Sequence, residues 1–157
     1  GVIKPNIESY DITQNLRQIS KNMSDMLKGE GFKIIFNSDR DIVVKADPTM
    51  INRSFYNLLA NAVNYSDNSR EIIVNQIIKK NYVRIEVIDF GRGISEDIIP
   101  YIWERYYKNS NNHIEGLKSS GLGLSIVKAF VEAHGGVCGV SSKQGEGSTF
   151  WFEINIQ

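Results

Sequence analysis

Cysteine, proline and any imbalance of charge are what this sequence has least of. Cys138 is the only cysteine in 157 residues, which excludes an internal disulfide and any cysteine-rich zinc site. Lys and Arg total 18, and so do Asp and Glu. A polyanion-binding domain carries a basic excess, so this balance argues against nucleic acid as a general partner. No apolar run approaches the roughly 18 residues that span a bilayer, and no signal-peptide pattern opens the chain. It does not open on methionine either, since Gly1 stands there. The expectation is an excised cytoplasmic piece from reducing surroundings. No repeat, low-complexity block or proline-rich linker divides it. What is present is 41% apolar and 23% charged residues, a globular composition at the length of one domain.

Residues 1–10, with Lys4-Pro5-Asn6, carry little periodicity and read as a lead-in from an upstream segment. Ile12, Leu16, Ile19, Met23, Met26 and Leu27 recur at helical spacing, with Gly29 as the stop. Phe32 to Phe36 and Asp41 to Lys45 predict two short strands around a polar turn. Asp47-Pro48 predicts a helix start, a carboxylate cap followed by a proline whose missing N–H is not needed in the first turn. That helix runs to about Tyr65 and turns Ile51, Phe55, Leu58, Leu59 and Ala62 inward. Strands follow near Ile72 to Ile78 and Val83 to Ile88, then a short helical stretch around Pro100 to Tyr107. Residues 108–120 are polar and too long for a simple connection, which predicts a lid. A last helix from Gly121 to Ala133 is stopped by Gly135-Gly136. Strands near Val137 to Ser142 and Thr149 to Ile156 follow; in the second, Phe150, Phe152, Ile154 and Ile156 alternate with Trp151, Glu153 and Asn155. The sum predicts an α+β fold, a two-layer sandwich with helices on one face of a mixed, mainly antiparallel sheet.

Three features carry chemistry. Arg53, Asn57, Asn61 and Asn64 share one face of the helix after Pro48. Asparagine is a poor helix former, so the stripe is either a solvated face or an amide surface that meets a ligand or hydrated metal. Asp89-Phe90-Gly91-Arg92-Gly93-Ile94 follows a strand, where glycines permit a sharp turn and a carboxylate can accept from a base's exocyclic amine. The Asp-Phe-Gly triplet does not indicate a eukaryotic-type protein kinase, because the glycine-rich loop, its strand lysine and a His-Arg-Asp loop are all missing. Ser119-Ser120-Gly121-Leu122-Gly123-Leu124 runs into a helix, whose N-terminal N–H groups make a phosphate seat. It lacks the endings of a P-loop and of a Rossmann turn, so alone it reads equally as a hinge.

Taken together, Asn61, Asp89-x-Gly91-x-Gly93, Trp103 to Lys108 and Gly121-Leu122-Gly123-Leu124 resemble, in order and spacing, the boxes of the sensor histidine kinase catalytic and ATP-binding domain. Gly145-Glu146-Gly147-Ser148-Thr149-Phe150 resembles that family's last glycine-rich turn. The match covers roughly Ile12 to Ile156. The resemblance implies the Bergerat ATP-binding fold, with residues 1–10 leading in from a dimerisation domain and 11–157 forming the catalytic domain. It implies ATP and Mg²⁺ as cofactors, with Asn61 on the metal and Asn57 near metal and phosphates. Tyr65 corresponds to an aromatic that packs on adenine, and Asp89 to the acceptor of the adenine amine. Gly91 and Gly93 give base and sugar room, with Ile94 beside them. Tyr107 and Lys108 fall in the box where a phosphate-binding arginine usually stands. Ser120, Gly121, Leu122, Gly123 and Leu124 belong to the closing lid, and Thr149 to the base pocket.

The departures are Asn64 where the family often has a phosphate-neutralising lysine, Ser119 for a hinge glycine, and Trp103 and Tyr106 for phenylalanines. Neither His113, in the lid, nor His134, at a helix end, fits the phosphoacceptor. The resemblance places that histidine on a separate dimerisation domain, with a response regulator downstream. It implies a homodimeric, membrane-anchored parent, while the fragment alone is expected to be a monomer. Relatives of the fold that hydrolyse ATP or phosphorylate serine carry glutamate where Asn57 stands. A serine kinase or ATPase, or a non-catalytic nucleotide sensor, is the alternative reading.

Overall fold

The computed structural model describes residues 3–66, 69–105 and 123–156. Strand β1 (Glu8–Asp11) leads directly into α1 (Ile12–Met26), then come β2 (Lys33–Ser38), β3 (Val43–Ala46) and α2 (Pro48–Tyr65). The remainder is β4 (Glu71–Ile78), β5 (Tyr82–Asp89), α3 (Gly123–Ala133), β6 (Val137–Lys143) and β7 (Gly147–Asn155). Five strands form one sheet in the order β2-β4-β5-β7-β6. Only β2 and β4 run parallel; the other neighbours are antiparallel.

Alternation sorts the strands into two faces. Val83, Ile85 and Val87 of β5 pair with Ile154, Phe152 and Phe150 of β7, and all six are buried with Leu16, Ile51, Val127 and Val131 of the helices. Each such side chain contributes about 1.5–3 kcal/mol on leaving water. The opposite face is covered by its own side chains. Arg84 bonds Glu86 at 2.9 Å and Glu153 at 2.8 Å and lies 4.0 Å over the Trp151 ring.

Both helix starts follow from local chemistry. Asp11 caps α1 by accepting from the Gln14 N–H at 2.9 Å. Asp47 caps α2 by accepting from Met50 at 3.2 Å, with Pro48 in the first turn. The end of α1 differs from expectation. The helix stops at Met26, which is 57% exposed, and a 3-10 turn over Lys28–Glu30 carries the chain to Gly31 at φ +82°. Gly31, not Gly29, supplies the left-handed residue that reverses the chain.

Two further expectations are corrected. Glu8–Asp11 is a strand rather than an aperiodic lead-in, paired antiparallel with β3 in a separate two-stranded sheet. The two short strands near residues 33 and 43 are real but do not pair with each other. β2 reaches across α2 to lie parallel beside β4, which buries Phe32 and packs Ile34 and Phe36 against the core. The stretch before residue 105 holds one 3-10 turn, Ile99–Tyr101, and Trp103 packs edge-on against Phe150 at 5.7 Å. The expected lid and the box residues Tyr106, Tyr107, Lys108, His113, Ser119, Ser120, Gly121 and Leu122 lie outside the described residues.

Candidate nucleotide site

α2 and α3 are packed against each other and joined at two places. At one, the Asn57 Nδ2 donates to the Gly123 carbonyl at 3.2 Å, so the amide stripe and the second glycine box meet. At the other, the Asp47 N–H donates to His134 Nε2 at 3.0 Å, and His134 Nδ1 lies 2.7 Å from the Phe130 carbonyl. A carbonyl only accepts, so His134 is the neutral Nδ1–H tautomer. It is a structural histidine, as expected, acting through hydrogen bonds rather than charge.

On the stripe, Arg53 is exposed while Asn57, Asn61 and Asn64 are half-buried. The Asn61 Nδ2 is itself buried and has no hydrogen-bond partner. A buried amide atom without a partner costs about 1–3 kcal/mol, a cost that a polar ligand could relieve. Amide oxygen and nitrogen can exchange places, and the oxygen suits a hard cation that shares its shell with phosphate and water. No cluster of His, Cys, Asp or Glu among the described residues could hold a metal. The residues present therefore fit a magnesium ion held by neutral amides and nucleotide phosphates.

Asp89 closes β5 with 1% of its surface exposed, and its Oδ1 accepts from the Gly91 N–H at 3.0 Å. The glycines after it make room for neighbouring backbone. A Cβ on Gly91 would lie 2.0 Å from the Tyr65 carbonyl oxygen, and one on Gly93, at φ +70°, would lie 2.2 Å from that of Lys143. The loop is thus pressed between the end of α2 and the β6–β7 hairpin, which fixes Asp89. The hairpin reciprocates: the Gly145 N–H donates to the Arg92 carbonyl at 2.7 Å, and Ile94, 3% exposed, donates its N–H to Ser142 Oγ at 2.8 Å. Tyr65 sits at the α2 end with the Arg92 guanidinium 4.9 Å over its ring. Leu124 packs against the core at the start of α3.

Thr149 lies one residue past the register partner of Asp89. Asp89 pairs in register with Ser148, and Ile88 with Thr149, so Ser148 shares the Asp89 face while Thr149 faces the far side of the sheet. A cavity of about 380 Å³ at this end of the sheet is lined by Thr149 together with Ile88, Asp89, Phe90, Ser142 and Ser148. Ser148, 4% exposed, and Ser142 were missed. The signal for Ser148 was available in the alternation of β7, which places it in phase with Phe150 and Phe152.

The chain belongs to the histidine kinase-, DNA gyrase B- and HSP90-like ATPase family, whose profile matches residues 46–157, as an ATP-binding catalytic domain of the sensor histidine kinase kind. It is 40% identical over 113 residues to the sensor protein KdpD of Clostridium acetobutylicum, covering 72% of this chain and 13% of that one. It is 29% identical over 148 residues to the sensor protein IrlS of Burkholderia pseudomallei, covering 94% of this chain and 32% of that one. The chain thus spans a third or less of these relatives. Among solved structures, full-length ShkA in complex with AMPPNP matches 98% of this chain and 32% of its own at a TM-score of 0.84 and 27% identity. The nucleotide-free catalytic domain of histidine kinase ThkA matches 96% of each chain at a TM-score of 0.83 and 24% identity, a likeness of fold. No helix among the described residues is long and apolar enough to cross a membrane.

Proposed function

We propose that this domain binds ATP with Mg²⁺ and delivers the γ-phosphoryl to a histidine on the dimerisation domain of its own parent, for relay to an aspartate of a response regulator. Asn57 carries this reading. It stands where the hydrolysing and serine-phosphorylating relatives carry a glutamate base, its amide is engaged by the Gly123 carbonyl, and an amide cannot deprotonate water. The nucleophile therefore comes from outside, and a histidine imidazole is nucleophilic without a base.

Each residue then has a task. The buried Asp89 carboxylate accepts from the adenine amine and opposes the guanine carbonyl. Tyr65 packs beside the base. Asn61, with Asn57 adjacent, holds the magnesium ion, which when bound neutralises charge on the phosphates. Lys108 adds a cation, Tyr107 flanks it, and Ser120 to Leu124 close over the phosphates. Asn64 leaves this neutralisation to Lys108 and the metal. The protein's contribution is to align the phosphoryl group for in-line attack. The parent is a homodimer anchored in a membrane with this domain in the cytoplasm; the domain alone is a monomer.

The test is radiolabelled ATP with this domain and its dimerisation domain supplied in trans, followed by acid. The expected result is a label on the dimerisation domain that acid removes. An acid-stable label, or rapid ATP hydrolysis by this domain alone, would place it with the serine kinases or ATPases; binding without any transfer would make it a nucleotide sensor.

A further inference from the structure

Ser142 lies on β6, and its hydroxyl joins three segments. It accepts from the Ile94 N–H at 2.8 Å, stands 3.0 Å from the Gly147 carbonyl, and lies 2.7 Å from Ser148 Oγ. A serine hydroxyl has one proton and two lone pairs. The carbonyl of Gly147 can only accept, so all three contacts are satisfied together when the Ser142 proton goes to it. Both Ser142 lone pairs are then taken, one by Ile94 and the other by Ser148, whose own proton must point to Ser142. Ser148 is left with lone pairs only. It is the register partner of Asp89 on the same face of the sheet, so two acceptors stand side by side in the base pocket.

We propose that Ser142 is a positioning residue for base selection, holding the Ser148 proton away from Asp89 so that the pocket presents acceptors alone. The proposal rests on Asp89 being the acceptor of the adenine amine. Two adjacent acceptors take an amine, directly or through water, and reject a carbonyl. Without Ser142 the Ser148 proton loses its acceptor and turns toward its cross-strand neighbour, the Asp89 carboxylate. It then competes with the amine for that carboxylate. Ser142 touches no nucleotide in this arrangement; it acts by fixing the direction of one proton.

The experiment measures ATP and GTP affinity of this domain by calorimetry for the parent, Ser142→Ala, and the Ser142→Ala/Ser148→Ala double variant. Ser142→Ala weakens ATP binding by about tenfold and leaves GTP nearly unchanged. Removing the Ser148 hydroxyl in that background restores most of the lost ATP affinity, because the competing proton is gone. A merely structural pin would not recover when a second side chain is cut. The Ser142→Thr and Ser142→Val pair, alike in shape, repeats the test with the strand filled: Thr behaves as the parent and Val as Ala. A parent that prefers ATP, with no recovery in the double variant or equal losses for ATP and GTP, overturns the role of Ser142. A parent that binds ATP and GTP alike overturns the Asp89 reading, and this proposal with it.

Discussion

The two ends of α2 are built on opposite terms. At its start Asp47 is bonded on every side. Its Oδ1 accepts from Met50 and its Oδ2 from Asn6, its N–H donates to His134, and its carbonyl accepts from Ile51 at 3.0 Å. Burial alone would raise the pKa of this carboxyl, but the N–H groups of Asn6, Met50 and Thr49 hold it below the ordinary carboxylate value. Two turns further on, the same helix spends three positions on asparagine, each costing about 0.6 kcal/mol of helix propensity against alanine. One of them, Asn61, keeps a buried amide nitrogen without a partner. The first end fastens the incoming chain, α2 and α3 together; the second leaves the Asn61 amide nitrogen unpaired. A helix that gives up stability at one end and recovers it at the other is what a binding face on a rigid element requires.

The sharpest way to break this comparison is to exchange the consequences of mutation at the two ends. Asn61→Ala should take phosphotransfer to a dimerisation domain below detection, because the amide oxygen proposed to hold the metal is gone. The same change removes a buried unsatisfied group and adds a better helix former. The melting temperature should therefore stay within about 2 °C of the parent or rise. Thermal denaturation followed by circular dichroism, beside the transfer assay, reads both. A fall of many degrees would mean that Asn61 is a structural residue and that its lost activity reports unfolding.

Asp47→Ala should do the reverse. It removes a helix cap and an acceptor for the Asn6 N–H, a loss of about 2 kcal/mol or about 4–8 °C in melting temperature. Nucleotide affinity of the folded protein should be nearly unchanged. The pH dependence has a definite sign. A carboxyl whose folded value is depressed stabilises the fold above its unfolded value of about 3.9, and that contribution disappears as pH falls through the lower folded value. The gap in melting temperature between parent and variant should be level from neutral pH down to about 4 and narrow below it. A gap that stayed constant into stronger acid would show that the charge of Asp47 contributes nothing beyond side-chain packing.

What could be read from sequence follows the range of each interaction. The start of α2 was legible because Asp47 and Pro48 act on N–H groups within one turn. The pairing of β5 with β7 was foreshadowed by Val83 to Val87 and Phe150 to Ile154, whose alternation survives any context. β1 was not legible, since Glu-Ser-Tyr-Asp has no apolar alternation and becomes a strand only because β3 offers it partners. The parallel seat of β2 beside β4 was hidden for the same reason: pairing across a helix leaves no local trace. In the site, the order of boxes brought out Asn57, Asn61, Asp89 and Gly123; the fold bonds Asn57 to Gly123 and presses the turn after Asp89 against Tyr65 at the end of α2. The glycines were visible as glycines, but not what they admit. Their clearance is filled by the carbonyls of Tyr65 and Lys143, which lie far away in sequence.

The smallest expected effect sharpens the comparison between the faces of the sheet. A strand repeats every two residues, so a slip of one moves a side chain through the sheet to the other side. Ser148 and Thr149 are both small hydroxyl residues beside Asp89 and Ile88, and composition cannot tell which one belongs to the base pocket. The register can, since Ser148 opposes Asp89 and Thr149 opposes Ile88. Thr149→Val keeps the shape and the strand preference while deleting the hydroxyl, so stability should change by less than about 0.5 kcal/mol. ATP affinity by calorimetry should be indistinguishable from the parent, because the register sets this side chain beside Ile88 and Ser141, on the other face of the sheet from Asp89. A several-fold loss confined to ATP would put Thr149 back in the base pocket and show that β7 shifts register when nucleotide binds.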